Sequence, residues 1–380
     1  MKKTLAAVAV LGAFAGSALA ADVQLYGIVD EGLAYSHVDL DGAADATDSF
    51  SMNSGMQSGS RFGFKGTEDL GNGLTVGFVL ENGFTADNGA DNSTLFDREA
   101  SLFIEGGFGK LAMGKIGSIN CGTSSWAQIG VLSAFGTSNW GGYSNQIGST
   151  ASTGGVMDNT IAYQSPTFAG FTVFAQYSMG DDGDDKTISG SENESSLDRY
   201  YAIGAKYANG PLTAYFAVDS VNYRTWNGTT GPVAGADDID DSLTVTLGGN
   251  YDFGVAQIFF GAQYFDEVET FGSLVTKVDT DFAGKIKGYG LNLSANIPVA
   301  GGKIMAGLGY VDAEAADSVD NGDEFQRYIV SAGYDYPFSK RTDAYVVASY
   351  MQDSVDYGAA NKPDVDPNAF TFVVGLRHKF

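Results

Sequence analysis

The stretch Phe370 to Phe380, FTFVVGLRHKF, decides the fold. Phe370, Phe372, Val374 and Leu376 fall on one side of an extended strand. Thr371, Gly375, Arg377 and Lys379 fall on the other, with Val373 the one apolar residue among them. Side chains alternate across a strand with period two, and a wholly apolar face opposite a polar one suits a strand held between lipid and water. The final residue, Phe380, is an aromatic at the level where a barrel meets the membrane interface. A terminal strand in lipid must pair on both edges, because unpaired N–H and C=O groups find no water there. The expected fold class is all-β, a closed antiparallel transmembrane barrel of an outer membrane.

Working outward, the other end of the chain carries an export pattern. Lys2 and Lys3 precede the apolar stretch Leu5 to Ala15 and the small-residue triplet Ala18-Leu19-Ala20. Residues 1–20 are therefore expected to be a cleaved signal peptide and residues 21–380 the barrel domain. No remaining run approaches the ~18 apolar residues of a membrane helix. Phe and Tyr number 25 and 20, enough for aromatic girdles at both membrane interfaces. Acidic residues outnumber basic ones 46 to 21, for a formal net charge of −25, which argues against a nucleic-acid partner. Cys121 is the sole cysteine, so no intrachain disulfide forms, and no cofactor or metal is called for.

Sixteen alternating segments are expected between tight turns on one rim and long polar loops on the other. Leu74, Val76, Phe78 and Leu80 oppose Thr75 and Glu81. Leu243, Val245 and Leu247 oppose Thr244 and Thr246, and Tyr328, Val330 and Ala332 oppose Arg327 and Ser331. Turn chemistry marks Asp69 to Gly73, Ser165-Pro166, Asn209-Gly210-Pro211, Asp252-Phe253-Gly254 and Pro298 to Gly302. In the first strand Glu31 shares parity with outward-facing Val29 and Leu33, which a subunit interface or a bulge would explain. Arg98 and Lys115 lie where the strand phase is ambiguous.

The longest break in the strand pattern runs from Lys115 to Asp158. Between them stand no Asp, Glu, Lys, Arg or His, but Trp126, Asn139, Trp140, Tyr143 and many Gly, Ser and Thr residues. A loop this long is usually functional or disordered, and its aromatic content argues against disorder. Folded inward onto the wall it would bury its aromatics and narrow a channel; the alternative is an external loop covering a neighbouring subunit.

Several segments together resemble the general, non-specific porins of Gram-negative bacteria, in particular the trimeric sixteen-stranded type of proteobacteria. They are LYGIVDEGL (Leu25 to Leu33), SRFGFKGTEDLGNGL (Ser60 to Leu74), FGKLAMGK (Phe108 to Lys115), NTIAYQSPTFAGFTV (Asn159 to Val173), GYDYPFSKRTDAYVVASY (Gly333 to Tyr350) and VGLRHKF (Val374 to Phe380). The resemblance implies a homotrimer of water-filled 16-stranded barrels, each narrowed by an inward-folded third extracellular loop and set among outer-membrane lipid and lipopolysaccharide. It also implies a basic cluster across the constriction, where Arg61 and Arg98 match two members and Lys65 shares the parity of Arg61. Relatives place a further arginine near Ala162 or Gln164 and acidic residues on the loop; this chain has neither. The constriction is thus expected to comprise Arg61, Lys65, Arg98, Lys115, Trp126, Asn139, Trp140 and Tyr143.

Acidic runs pull the other way: Asp181 to Asp185, Asp237 to Asp241, and Asp312, Glu314, Asp317, Asp320, Asp323 and Glu324. Placed at a pore mouth they would concentrate cations, so the expected channel passes small hydrophilic solutes and ions with a mild cation preference that weakens or reverses as salt rises. The Asp181 run fails as a calcium loop, because Lys186 stands where glycine is required. Rival readings are a substrate-specific channel with Trp126, Trp140 and Tyr143 stacking on sugar rings, a non-conducting adhesin, and an enzyme. The last is disfavoured because His37 and His378, the only histidines, fall at opposite ends of a barrel.

Overall fold

The computed structural model describes residues 23–41, 45–91, 94–137, 155–181, 198–223, 240–269, 285–316, 322–359 and 362–380. Among the described residues, seventeen strands form one sheet. The first six are β1 (Gln24–Asp39), β2 (Thr47–Ser54), β3 (Arg61–Gly71), β4 (Leu74–Gly83), β5 (Glu99–Gly106) and β6 (Gly109–Gly117). Next come β7 (Val156–Gln164), β8 (Phe171–Asp181), β9 (Asp198–Asn209), β10 (Leu212–Asn222), β11 (Leu243–Asp252) and β12 (Gln257–Glu269). The last are β13 (Lys285–Val299), β14 (Gly302–Ala315), β15 (Glu324–Pro337), β16 (Thr342–Asp356) and β17 (Asn368–Lys379). Each strand pairs antiparallel with its neighbours. β1 pairs with β2 through Glu31 to Val38 and with β3 through Gln24 to Ile28. β2 and β3 therefore lie end to end in one wall position, and the barrel has the sixteen positions expected.

Closure falls to β17, which pairs β1 from Ile28↔Lys379 to Asp39↔Asn368. One residue beyond, the Phe380 and Gly27 backbones exchange two hydrogen bonds of 3.0 and 3.1 Å. A Cβ on Gly27 would stand 2.3 Å from the Phe380 ring, so the closing aromatic needs glycine beneath it. The alternation predicted for the terminal strand holds: Phe370, Phe372, Val374 and Leu376 point out and are exposed. Val373 is 1% exposed, packed with Phe135, Met56 and Tyr345 inside the barrel. Its apolar character belongs to the seat of an internal loop.

The outer face carries an aromatic row at each rim. Tyr289, Tyr310 and Tyr328 stand in succession, with ring centroids 6.2 and 5.0 Å apart. At the short-turn rim Tyr251 meets Phe253 at 4.6 Å and Tyr336 meets Phe338 at 5.3 Å. Tyr264 pairs with Val245, six residues up β11 from Tyr251, or about 20 Å at the rise of a strand. Exposed Leu247, Phe260, Leu291 and Leu293 lie in the band between. Glu31 sits on this outer face as its parity required, with both carboxylate oxygens buried and lacking a hydrogen-bond partner among the described residues.

Candidate functional site

Two inward segments narrow the lumen. The first is the stretch after β6, described to Thr137, which runs across the lumen and includes a single 3-10 turn, Ile129–Leu132. Ile119, Ile129 and Leu132 pack on Phe174, Tyr215 and Ala217 of the wall. Trp126, 2% exposed, packs on Phe103, Ala112, Ile116 and Ala162. Further on, Ala134 and Phe135 reach Ala34, Val347 and Val373 on the far wall.

The second inward segment was not foreseen. Between β2 and β3, Gly55 to Ser60 leave the wall as a short ledge, and Met56 packs against the same cluster as Phe135. Loop and ledge therefore meet, closing an eyelet with the wall of β3, β4 and β5. The eyelet cavity is about 580 Å3; it is lined by the ledge, by Gly122 to Ser125 and Thr137 of the loop, and by Arg61, Lys65, Glu81, Arg98 and Glu99.

Wall carboxylates hold both segments in place. Asp30, fully buried, accepts hydrogen bonds from the Gln57 and Ser58 backbone N–H groups at 2.9 and 2.6 Å and from Tyr345 Oη at 2.6 Å. Glu99, 1% exposed, accepts from the Ser125 N–H at 2.8 Å and from the Ser124 and Ser125 hydroxyls. Asp219 accepts from Asn120 Nδ2 at 2.8 Å and from Tyr200 Oη at 2.9 Å. A buried carboxylate tolerates desolvation when several donors converge on it, and such charge-assisted bonds are the strong ones. The loop's Ser and Asn content thus has a physical reason: it supplies donors to acids carried by the wall. A loop carboxylate beside them would repel.

Arg61, Lys65 and Arg98 line the eyelet cavity together. Arg98 precedes β5, so strand parity does not govern it, and its Nε donates to Glu81 Oε1 at 2.7 Å. Arg61 Nε lies 3.6 Å from Glu81 Oε2, and its Nη1 donates to the Gly59 carbonyl at 3.0 Å. Lys65 Nζ lies 5.2 Å from the centroid of the Tyr26 ring. Lys115 does not belong to the constriction. It pairs with Ala100 on the outer face and makes a 2.7 Å ion pair with Asp158, because the face toward the lumen carries Ala112 and Ile116. Trp126 anchors the loop and offers no open face. Asn139, Trp140 and Tyr143 lie outside the described residues. The face of Glu81 was read from the sequence but its role was not, and Glu99, Asp30 and the ledge escaped; for the three acids the signal was a carboxylate at lumenal parity within a strand, and the ledge had none.

Part of the acidic vestibule is also relocated. Asp312 and Glu314 belong to β14 and Glu324 to β15, on the outward face with Tyr310 and Tyr328. Glu314 there meets Lys287 at 3.5 Å. These carboxylates lie outside the barrel wall and do not line the pore.

A family model described as Gram-negative porin matches residues 6–356. The chain belongs to that family. An outer membrane porin protein of Bordetella pertussis is 32% identical over the full length of both chains. Outer membrane porin protein 32 of Delftia acidovorans is 31% identical, covering 93% of this chain and 90% of that one. Among solved structures, an anion-selective porin from Comamonas acidovorans superposes with a TM-score of 0.67 at 25% identity, covering 95% of this chain and all of its own. This porin is accordingly an outer-membrane channel, with the short turns on the periplasmic side.

Proposed function

We propose that this porin is a general diffusion channel for small hydrophilic solutes and ions, with an eyelet that favours anions. One observation carries the reading. Three cationic side chains, Arg61, Lys65 and Arg98, line the opening, while of the two carboxylates beside them Glu99 is buried against the loop. Basic residues at the narrowest point select anions. Support also comes from the solved porin described as anion-selective. The mild cation preference expected from acidic loops loses the residues that face outward, though Asp240 and Asp241 remain beside β11.

Residues 1–20 act in this reading as the export signal, and the barrel assembles in threes with Glu31 turned toward a neighbouring copy. Lipopolysaccharide surrounds the rest of the outer face. The test is the reversal potential of the refolded protein in a planar bilayer under a potassium chloride gradient. A chloride-favouring potential at 1 M salt, moving toward potassium at 0.01 M as screening of the acidic mouth weakens, is the expected result. Potassium preference at every salt concentration would overturn the anion reading, and a silent membrane would overturn the channel.

A further inference from the structure

Below the eyelet, toward the periplasmic turns, two more lysines stand on the lumenal wall. Lys110 in β6 shares its face with Ala112, which lies under Trp126. Lys206 in β9 shares its face with Gly204, where an added Cβ would stand 2.9 Å from Ile119 of the loop. Lys110 Nζ lies 4.1 Å from the Phe103 ring centroid and 5.1 Å from that of Trp126. Lys206 Nζ lies 5.8 Å from the Phe174 centroid and donates to Gln128 Oε1 at 2.8 Å. Trp126 and Gln128 are two residues apart in the same loop, so the ammonium groups bracket one short stretch of its underside.

The two lysines differ from the arginines above in their ion pairing. Arg61 and Arg98 both lean on Glu81. Among the described residues neither Lys110 nor Lys206 makes an ion pair; Glu105 faces Lys110 across the β5–β6 ladder without forming one. An aromatic face attracts a cation through its quadrupole and leaves the net charge in place. Rings therefore hold these ammonium groups at the lumen wall without neutralising them.

We propose that Lys110 and Lys206 form a second anion subsite on the periplasmic face of the constriction, taking chloride-sized anions and small carboxylates as they pass the loop. This rests on the channel reading above and extends it from the opening to the exit. Anions leaving the arginine-lined opening meet two unpaired positive charges, which would make the anion preference a property of both faces of the loop.

Reversal potentials in chloride and acetate gradients at 0.1 M salt test the subsite with wild type, K110Q, K206Q, the double variant, and K110R with K206R. Each lysine replaced by glutamine is expected to lower the anion-to-cation permeability ratio about twofold, as for one unit charge several ångströms from the ion path. The arginine variants should retain the wild-type ratio, since charge is kept while the flexible stem and the bond to Gln128 change. An unchanged ratio in the glutamine variants would overturn the proposal. Equal losses in glutamine and arginine variants would overturn it too, because that pattern belongs to loop anchoring. If the double variant fails to insert, K206Q alone decides. A wild type that conducts but favours potassium would instead strike the arginine-lined opening, leaving the glutamine series to be read as a difference from that baseline.

Discussion

At the residue scale, buried carboxylates do the positioning and small residues make room for it. Gly375 shows the tolerance: a Cβ there would stand 2.2 Å from the Tyr345 ring, whose hydroxyl holds Asp30. Tyr345→Phe removes one donor from a buried carboxylate, a loss of about 1–3 kcal/mol. The expected readouts are a lower urea midpoint and noisier open-channel current, because the ledge loses its anchor; a variant with wild-type midpoint and noise would show that Asp30 does not depend on Tyr345. Cys121 offers a second check. Its Sγ donates to the Thr123 carbonyl at 2.6 Å, and burial pushes the thiol up to about 11. The reactive thiolate then appears only as pH rises toward that value, so maleimide labelling of the folded protein at neutral pH should be slow and should accelerate on denaturation. Fast labelling of folded protein would place Cys121 in solvent.

At the scale of elements, the inward loop is a folded part seated on the wall. Trp126 fills the space above Ala112 and Ala162, with Ile116 and Phe103 beside it. Removing a buried aromatic costs about 3–5 kcal/mol where the cavity cannot collapse. Here the barrel persists, so the cost falls on loop seating. Trp126→Ala should raise single-channel conductance and current noise while leaving the urea midpoint of the barrel nearly unchanged. Ala162→Arg should act similarly, since it places a long cation under the indole. Wild-type noise in both variants would mean that the loop is held elsewhere, for instance through Asn120 and Asp219.

At the scale of the whole molecule, closure and charge distribution set the behaviour. The sheet has no free edge because β17 and Phe380 complete the ladder on β1. Gly27→Val inserts a side chain where the Phe380 ring lies. The yield of folded barrel in a heat-modifiability gel should fall several-fold, whereas the same substitution at exposed Gly107, with nothing within 4 Å of an added Cβ, should be tolerated. Equal yields would show that the terminal aromatic is dispensable for closure.

Period-two alternation, turn residues and the aromatic count determined the barrel, its strand positions and the outward faces, because lipid imposes one local rule on every strand. Family resemblance put Arg61 and Arg98 at the constriction, and alternation added Lys65, which shares the parity of Arg61. Alternation was itself silent on Arg98, which precedes its strand, and it offered both faces for Lys115 until packing under Trp126 selected Ala112 and Ile116 for the inside. The ledge held by Asp30, and the anchoring of an uncharged loop by Glu99 and Asp219, were decided by tertiary structure alone. Those features join residues as far apart in sequence as Asp30 and Tyr345, and no local pattern records which buried carboxylate a distant hydroxyl or backbone N–H will reach.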